Sequence, residues 1–182
     1  MRCRVVVLCV GLLAPARPAL AQGQGAAASF DALKRLAGNW TGSVTTEPHN
    51  QDLEGAIQVT VRVASRGSVL EHEIAPGGVP EPTMIYVEGN RLTLVHYCEA
   101  GNRPRLVARP SANPKVVDFE FADLSGSTEP VYLRTFVFTM IATDHHTEDW
   151  VFGLPGDKQL RAHFDLNRAT PAASGKAGAH PH

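Results

Sequence analysis

Apolar and polar residues alternate one for one over several stretches of this chain, and this pattern constrains the fold more than any other sequence feature. It is clearest over residues 57–63, 117–121 and 160–166. Successive side chains of a β-strand point to opposite faces, so one side of each predicted strand faces a core. About ten such strands, separated by turn residues, follow Trp40. The sequence therefore predicts an all-β domain.

Short turns between these strands predict how the sheet is connected. Gly89-Asn90 and Gly101-Asn102 each separate two apolar runs, which is typical of β-hairpins between consecutive strands. Closing such a meander removes its exposed edges, so we expect an antiparallel up-and-down β-barrel. Before the first strand, residues 29–36 predict a short N-terminal helix, with Ser29 as its cap and Phe30, Leu33 and Leu36 on its apolar face.

The two ends of the chain differ from its centre. Arg2 and Arg4 precede an apolar run, and small residues at 19–21 offer a cleavage site, so residues 1–21 predict a signal peptide and an exported protein, periplasmic or extracellular. We expect a linker at 22–28, the barrel domain at 29–168 and a disordered tail at 169–182, which is rich in Ala, Gly and Pro.

Net charge and cysteine content limit the partners and the thiol chemistry that the sequence predicts. The net charge is -1, which gives no indication of a nucleic-acid partner, and no segment after the signal is long and apolar enough for membrane insertion. Removal of the signal peptide takes Cys3 and Cys9 with it and leaves Cys98 without an intramolecular partner. Cys98 is then a buried thiol, a reactive thiol or a link between chains.

Several segments between Phe30 and Arg168 resemble those of a known family. They include Gly38-Asn39-Trp40, Gly67 to Glu71, Leu92 to Arg105, Asp144 to Trp150 and Phe164 to Arg168. In these segments the chain resembles a family of exported bacterial proteins of unknown function with a calycin-like barrel of the lipocalin and nitrobindin type.

This resemblance implies a fold and a class of ligand. It implies a calycin-like barrel that takes a small apolar or haem-like ligand. It also implies structural roles for three residues, since Trp40 of the first strand packs against Arg168 of the last in such barrels, next to the tight turn at Gly38. The chain differs from the family in carrying Tyr132 and Arg134 where relatives have histidines.

Four polar residues share the apolar face of their strands. His72 lies between Leu70 and Ile74, His96 and Cys98 are in phase with Leu94, and Glu148 is in phase with Trp150; the four polar residues are therefore predicted to point inward. Burying such groups costs about 1–3 kcal/mol each unless they are hydrogen-bonded. We therefore expect them to meet one another, a water molecule or a ligand.

Three kinds of chemistry are compatible with these residues. His96 and Cys98, with His72 or Glu148, have donor types that bind a metal ion. His96 next to Cys98 or Glu148 would suit an isomerase or hydrolase. One of His72, His96 and His146 would serve as the axial ligand of a haem, as in a nitrobindin-like protein. The simplest alternative is a hydrogen-bonded core histidine and a packed thiol.

The function that this sequence favours is binding of a small, mostly apolar or amphipathic molecule in the barrel interior. His72, His96, Cys98 and Glu148 are its predicted polar contacts. Arg103 and Arg105, in the turn around Pro104, are predicted to flank the entrance, because a guanidinium offers a planar fork of donors to an anionic group.

Overall fold

A computed structural model of the protein describes residues 25–170, which form one α-helix and ten β-strands. The elements are α1 (Ala26–Lys34), β1 (Gly38–Glu47), β2 (Gly55–Ala64), β3 (Val69–Ile74), β4 (Glu81–Glu88), β5 (Arg91–His96), β6 (Asn102–Ala108), β7 (Val116–Gly126), β8 (Tyr132–Met140), β9 (His145–Leu154) and β10 (Lys158–Arg168).

Each strand pairs antiparallel with the next, and β1 pairs with β10, so the sheet closes into a barrel. The predicted all-β class, the strand number and the closed up-and-down topology are confirmed. The predicted signal peptide, residues 22–24 of the predicted linker and residues 171–182 of the predicted tail lie outside the described part of the chain. Ala169, the first residue of that tail, donates its backbone N–H to the Asn39 carbonyl at 2.8 Å.

The N-terminal helix begins earlier than its sequence predicts. Gly25, in extended conformation, occupies the N-cap position without a side-chain hydrogen bond, and the Ser29 backbone N–H donates to the Gly25 carbonyl at 3.0 Å. The prediction that Ser29 caps the helix is therefore wrong, because this residue lies inside the first turn. The predicted apolar face is correct: Phe30, Leu33 and Leu36 are buried in the barrel core. Within residues 25–170, no helix combines the length and apolarity that a bilayer crossing requires.

The two-residue period correctly predicts the core-facing side of most strands. Val59, Val61, Phe119 and Leu166 are all buried. Val63 departs from the pattern and is 46% exposed. It is the penultimate residue of β2, close to a short 3₁₀ turn, Ser65–Gly67.

Trp40 and Arg168 close the end of the barrel nearest α1. The Trp40 indole Nε1–H donates to the Leu36 carbonyl at 2.7 Å, and the Arg168 guanidinium lies 4.3 Å from the centre of the Trp40 ring. The same guanidinium donates to the Ala37 carbonyl at 2.9 Å and to the Thr143 carbonyl at 3.3 Å. The contact expected between Trp40 and Arg168 is thus present, and it connects β1 and β10 to the chain between α1 and β1.

Two glycines of β1 permit close approaches at this end. A Cβ on Gly38, whose φ is +143°, would fall 2.5 Å from Nη1 of Arg168. A Cβ on Gly42 would fall 1.8 Å from the Asp165 carbonyl oxygen of β10. Side chains at these positions would therefore separate β1 from its neighbours.

Replacing Arg168 by lysine tests the closure. We expect Arg168→Lys to lower the free energy of unfolding by about 1–2 kcal/mol, because one ammonium cannot stack on Trp40 and donate to two separate carbonyls. The measurement is urea unfolding followed by tryptophan fluorescence. Arg161→Lys is the control on β10, since the exposed Arg161 side chain donates a hydrogen bond to the exposed Gln159 side chain at 3.3 Å, and this variant should unfold like the wild type. Equal stability of the two variants would contradict the role assigned to Arg168.

Candidate functional site

Two separate groups of polar side chains lie in the interior. We call the first the Glu148 cluster and the second the mouth cluster. The Glu148 cluster contains His72, His146, Glu148 and Trp150, and the mouth cluster contains Glu81, Thr83, His96 and Cys98. His72, His96 and Glu148 are each 0% exposed, so the structure places them inside the barrel, as the face assignment predicted.

The Glu148 cluster is organised around one carboxylate on β9. Nε2 of His72, on β3, lies 3.0 and 3.1 Å from the two Glu148 oxygens. Nε2 of His146, two residues earlier on the same face of β9, lies 3.0 Å from Oε1. The Trp150 Nε1–H donates to Oε2 at 3.1 Å. Both carboxylate oxygens thus accept hydrogen bonds, and the cluster joins opposite walls of the barrel.

The electrostatics of this cluster favour an ionised carboxylate. Burial by itself raises the pKa of Glu148, but the charge of His72 and the hydrogen bonds from His146 and His72 outweigh it and lower the pKa to about 2. Two imidazole N–H groups and one indole N–H therefore surround the Glu148 carboxylate, which is not exposed to solvent. Nδ1 of His72 and Nδ1 of His146 have no hydrogen-bond partner within residues 25–170.

The mouth cluster is positioned by the antiparallel pairing of β4 and β5. Thr83 and His96 are direct partners across this ladder, and Thr83 Oγ1 lies 2.9 Å from His96 Nδ1. Nε2 of His96 lies 3.4 Å from Glu81 Oε2, which is within ion-pair distance but does not have hydrogen-bond geometry. The Glu99 backbone N–H donates to the other Glu81 oxygen at 2.8 Å. Cys98 follows β5 by two residues and is half-buried.

The charges of the mouth cluster keep Glu81 ionised and Cys98 protonated. For Glu81, burial raises the pKa, but the contacts with His96 and the Glu99 N–H outweigh it, and the net pKa is lowered. For Cys98, burial and the charge of Glu81 both raise the pKa. A raised thiol pKa opposes formation of the thiolate, which is the nucleophilic form. The structure therefore gives no support to Cys98 as an activated nucleophile.

A pocket enters the barrel at the end opposite α1, which we call the mouth. Its volume is about 220 Å³. Apolar side chains dominate its walls, and Glu81, Cys98 and Glu99 supply its polar side chains. The apolar lining residues are Val44, Leu53, Ile57, Ile74, Pro76, Val131, Trp150, Phe152, Leu160, Ala162 and Phe164. Other surface depressions are larger but lie on the outside, for example beside α1 at Leu36 and Arg168.

The predicted ligand contacts are distributed unevenly about this pocket. Cys98 lines it, and His96 lies directly behind Glu81, whereas His72 and Glu148 do not line it. Arg103 and Arg105 do not line it either. They alternate on β6 with the buried Asn102, Pro104 and Leu106 and therefore point outward. Nε of Arg105 donates to Asp123 of β7 at 3.0 Å on the outer wall. Their predicted place at the entrance has no support in this geometry.

The interior does not fit a haem. Nε2 of His72 and of His146 is engaged by Glu148, and the rings pack against aromatic side chains. His96 is fixed by Thr83 and faces Glu81. The pocket, at about 220 Å³, is smaller than the roughly 300–1,000 Å³ of ordinary small-molecule sites. A porphyrin would have to displace the packed cluster of Phe136 and Trp150, whose ring centres are 4.4 Å apart.

Glu81 and Thr83 were not among the predicted site residues, and His146 was not predicted to contact Glu148. All three were accessible to the same two-residue period. Glu81 and Thr83 are in phase with the buried Ile85, and His146 is in phase with Glu148. The two-residue period predicts that a side chain points inward, but it does not predict which strand of the opposite wall that side chain contacts.

Comparison with known proteins supports the fold and assigns no function. Neither protein-family models nor curated proteins give a match to this sequence. Among solved structures, the chain is similar to the crystal structure of Rv2717c from M. tuberculosis. The TM-score is 0.59 at 17% sequence identity, and the match covers 78% of this chain and 98% of that one. At this identity the likeness concerns the fold alone.

Glu148→Gln tests the buried carboxylate through the pH dependence of stability. The folded-state pKa of about 2 lies below the ordinary 4.5, so ionised Glu148 stabilises the fold above pH 4.5, and this contribution is lost as the pH falls toward 2. We expect Glu148→Gln to lower the free energy of unfolding by about 3 kcal/mol near neutral pH. The difference from the wild type should shrink in urea unfolding as the pH is lowered from 5 to 2.5.

Asp149→Asn is the matched control for this measurement. Asp149 is the next residue of β9, points outward and pairs with His163 at 2.7 Å on the exposed surface. Exposed pairs contribute little to stability, so Asp149→Asn should stay near wild type at all these pH values. A loss equal to that of Glu148→Gln would show that burial of Glu148 has no special effect.

Proposed function

We propose that this protein binds a small, mostly apolar molecule in the pocket at the barrel mouth. The observation that carries the proposal is the pocket itself, in which apolar walls from six or more strands and loops converge on Glu81 and Cys98. An apolar concavity with a few polar groups in fixed positions is the general form of a small-molecule site. Burial of hydrocarbon against these walls supplies the affinity, and the polar groups orient the ligand.

The size of the pocket limits the ligand. At about 220 Å³ it is smaller than the sites that enclose drug-sized molecules. The ligand is therefore either a small apolar compound or the chain end of a longer amphipathic molecule whose remainder extends past the rim. The rim residues Leu53 and Val131 are 41% and 38% exposed, and they offer apolar contact to such a remainder.

The charge at the pocket wall selects the polar end of the ligand. Glu81 is ionised because its pKa is lowered, and Glu99 lies beside it. A carboxylate on the ligand would be repelled by these side chains, whereas a hydroxyl or an amine would donate a hydrogen bond to Glu81. In this proposal Glu81 takes the orienting role first expected of His72 and Glu148. His96 acts through Glu81, and Cys98 contributes a soft, polarisable wall.

Competitive displacement of a neutral fluorescent probe, N-phenyl-1-naphthylamine, measures this selectivity. With metal-free protein we expect 1-octanol and octylamine to displace the probe, and octanoate to require a concentration at least about tenfold higher because of repulsion by Glu81. In Glu81→Gln, the octanoate concentration that displaces the probe should approach the 1-octanol concentration that does so. Equal displacement by all three compounds from the wild-type protein would remove the assigned role of Glu81.

Filling the pocket tests whether it is the binding site. Ala162 of β10 lines the pocket, and its replacement by phenylalanine places a ring in that space. We expect Ala162→Phe to lose probe binding, while His163→Phe, on the exposed side of the same strand, should bind as the wild type does. Circular dichroism verifies that both variants fold. Unchanged probe binding by a folded Ala162→Phe would place the ligand elsewhere.

We also propose that the protein is exported and that its barrel is of the calycin type. Export is supported by the basic and apolar pattern of residues 1–21, and the calycin assignment by the ten-strand closed barrel and the segments quoted above. Mass spectrometry of the protein from the periplasm or the medium should give a mature chain that begins near Gln22. Recovery of only the uncleaved chain from the cytoplasm would contradict export.

A further inference from the structure

One ring nitrogen of the mouth cluster has no hydrogen-bond partner in the part of the chain that the structure describes. The His96 ring is 0% exposed and its Nδ1 is bonded to Thr83 at 2.9 Å, but Nε2 has no hydrogen-bond partner within residues 25–170. Leaving such an atom unpaired inside a protein is unfavourable, because its hydrogen bond to water is lost and not replaced. Nε2 is directed at Glu81, whose Oε2 lies 3.4 Å away. The position is therefore suited to a partner that lies between the two side chains.

Three different ligand atoms surround this position. A carboxylate oxygen of Glu81, a ring nitrogen of His96 and Sγ of Cys98 all lie within 4.8 Å of one another. Around a tetrahedral zinc ion with bonds of about 2.0–2.3 Å, ligand atoms are about 3.5 Å apart, so a contraction of at most about 1.3 Å brings these atoms to the spacing of zinc ligands. Cys98 lies in the turn between β5 and β6, outside both ladders, so its side chain approaches the other two without moving a strand.

The hydrogen-bond partners of His96 and Glu81 are arranged like those of metal ligands. A histidine that ligates a metal almost always donates its other ring N–H to a neighbouring acceptor. Thr83 Oγ1 is in place to accept from Nδ1–H, and this tautomer leaves the Nε2 lone pair free to bind a metal. The Glu99 N–H holds the second oxygen of Glu81, which fixes the carboxylate in its present orientation.

We propose that Glu81, His96 and Cys98 bind one divalent transition-metal ion of the Zn²⁺ class. A set of one oxygen, one nitrogen and one sulfur suits Zn²⁺ and excludes Mg²⁺ and Ca²⁺, which require oxygen ligands. When the bond from Sγ to the metal forms, the Cys98 thiol releases its proton to solvent, and His96 binds as neutral imidazole. Both Glu81 and Cys98 line the pocket, so the fourth position of the ion faces the apolar mouth.

The metal site does not depend on the proposed small-molecule binding, and separate experiments test the two. Metal binding is measured without an organic ligand, and probe displacement is measured on metal-free protein. A chain that binds the metal but not the probe retains this inference and loses the proposed function. The opposite result retains the function and removes the metal site.

Cobalt titration provides the test, because Co²⁺ reports thiolate ligation by a near-ultraviolet charge-transfer band and tetrahedral geometry by visible absorption. The full chain with Cys3→Ser and Cys9→Ser, which leaves Cys98 as the one thiol of the sequence, is reduced, freed of metal by chelation and titrated with CoCl₂ and then with ZnCl₂. We expect the band to saturate at one Co²⁺ per chain and to disappear when Zn²⁺ is added. Absence of a thiolate band, or a stoichiometry well below one, would overturn the proposal.

Substitutions distinguish this site from other histidines. Cys98→Ser should abolish the thiolate band, and Cys98 is half-buried in a turn, so this variant is expected to fold. Glu81→Gln should weaken Co²⁺ binding at least about tenfold. His180→Ala/His182→Ala removes two tail histidines and should retain the full band. A band that survives in Cys98→Ser, or is lost with the tail histidines, would refute the site.

Discussion

The interior of this barrel depends on one ionised carboxylate, Glu148, which is held by two histidines and an indole N–H. Taking a charge out of water costs several kcal/mol, and only complete hydrogen bonding on both oxygens offsets this cost. His72 supplies one bond from β3, while His146 and Trp150 supply the others from β9 itself. The requirement that these groups meet fixes the distance between opposite walls. It also commits both histidines to structure, so they are not available as ligands for a guest.

The barrel is therefore divided along its axis into three layers with different tasks. At one end, α1, Trp40 and Arg168 fill the opening with apolar contacts and carbonyl bonds. In the middle lies the Glu148 cluster, of whose four residues Trp150 alone lines the pocket. The pocket lies toward the other end, where the loops after β1, β3, β5 and β7 surround it. The location of the candidate site thus follows from the packing of the other two layers.

The two-residue period predicted much of this fold, because in a closed barrel a side chain has only an inside and an outside. The period placed His72, His96 and Glu148 inside the barrel. Applied in the same way to β4 and β6, it also places Thr83 inside and Arg105 outside. It did not predict that His72 meets Glu148 while His96 meets Glu81, since these contacts depend on how the sheet curves across the barrel and not on local order. Ser29 was misassigned as a cap for a related reason: the start of α1 at Ala26 is stabilised by burial of Phe30 and Leu33 in the barrel, which outweighs the local capping preference.

Glu81 connects the two proposals made for the mouth, because its charge determines what the pocket wall attracts. In metal-free protein the wall carries the negative charge of Glu81, and the neutral Cys98 thiol does not offset it. A bound divalent cation would add two positive charges, while ionisation of Cys98 would add one negative charge, so the local charge would become less negative by about one unit. An open position on that cation would then accept an anionic group that the metal-free wall repels. One pocket with fixed apolar walls would in this way select different polar ends, according to whether His96 Nε2 is bound to a metal.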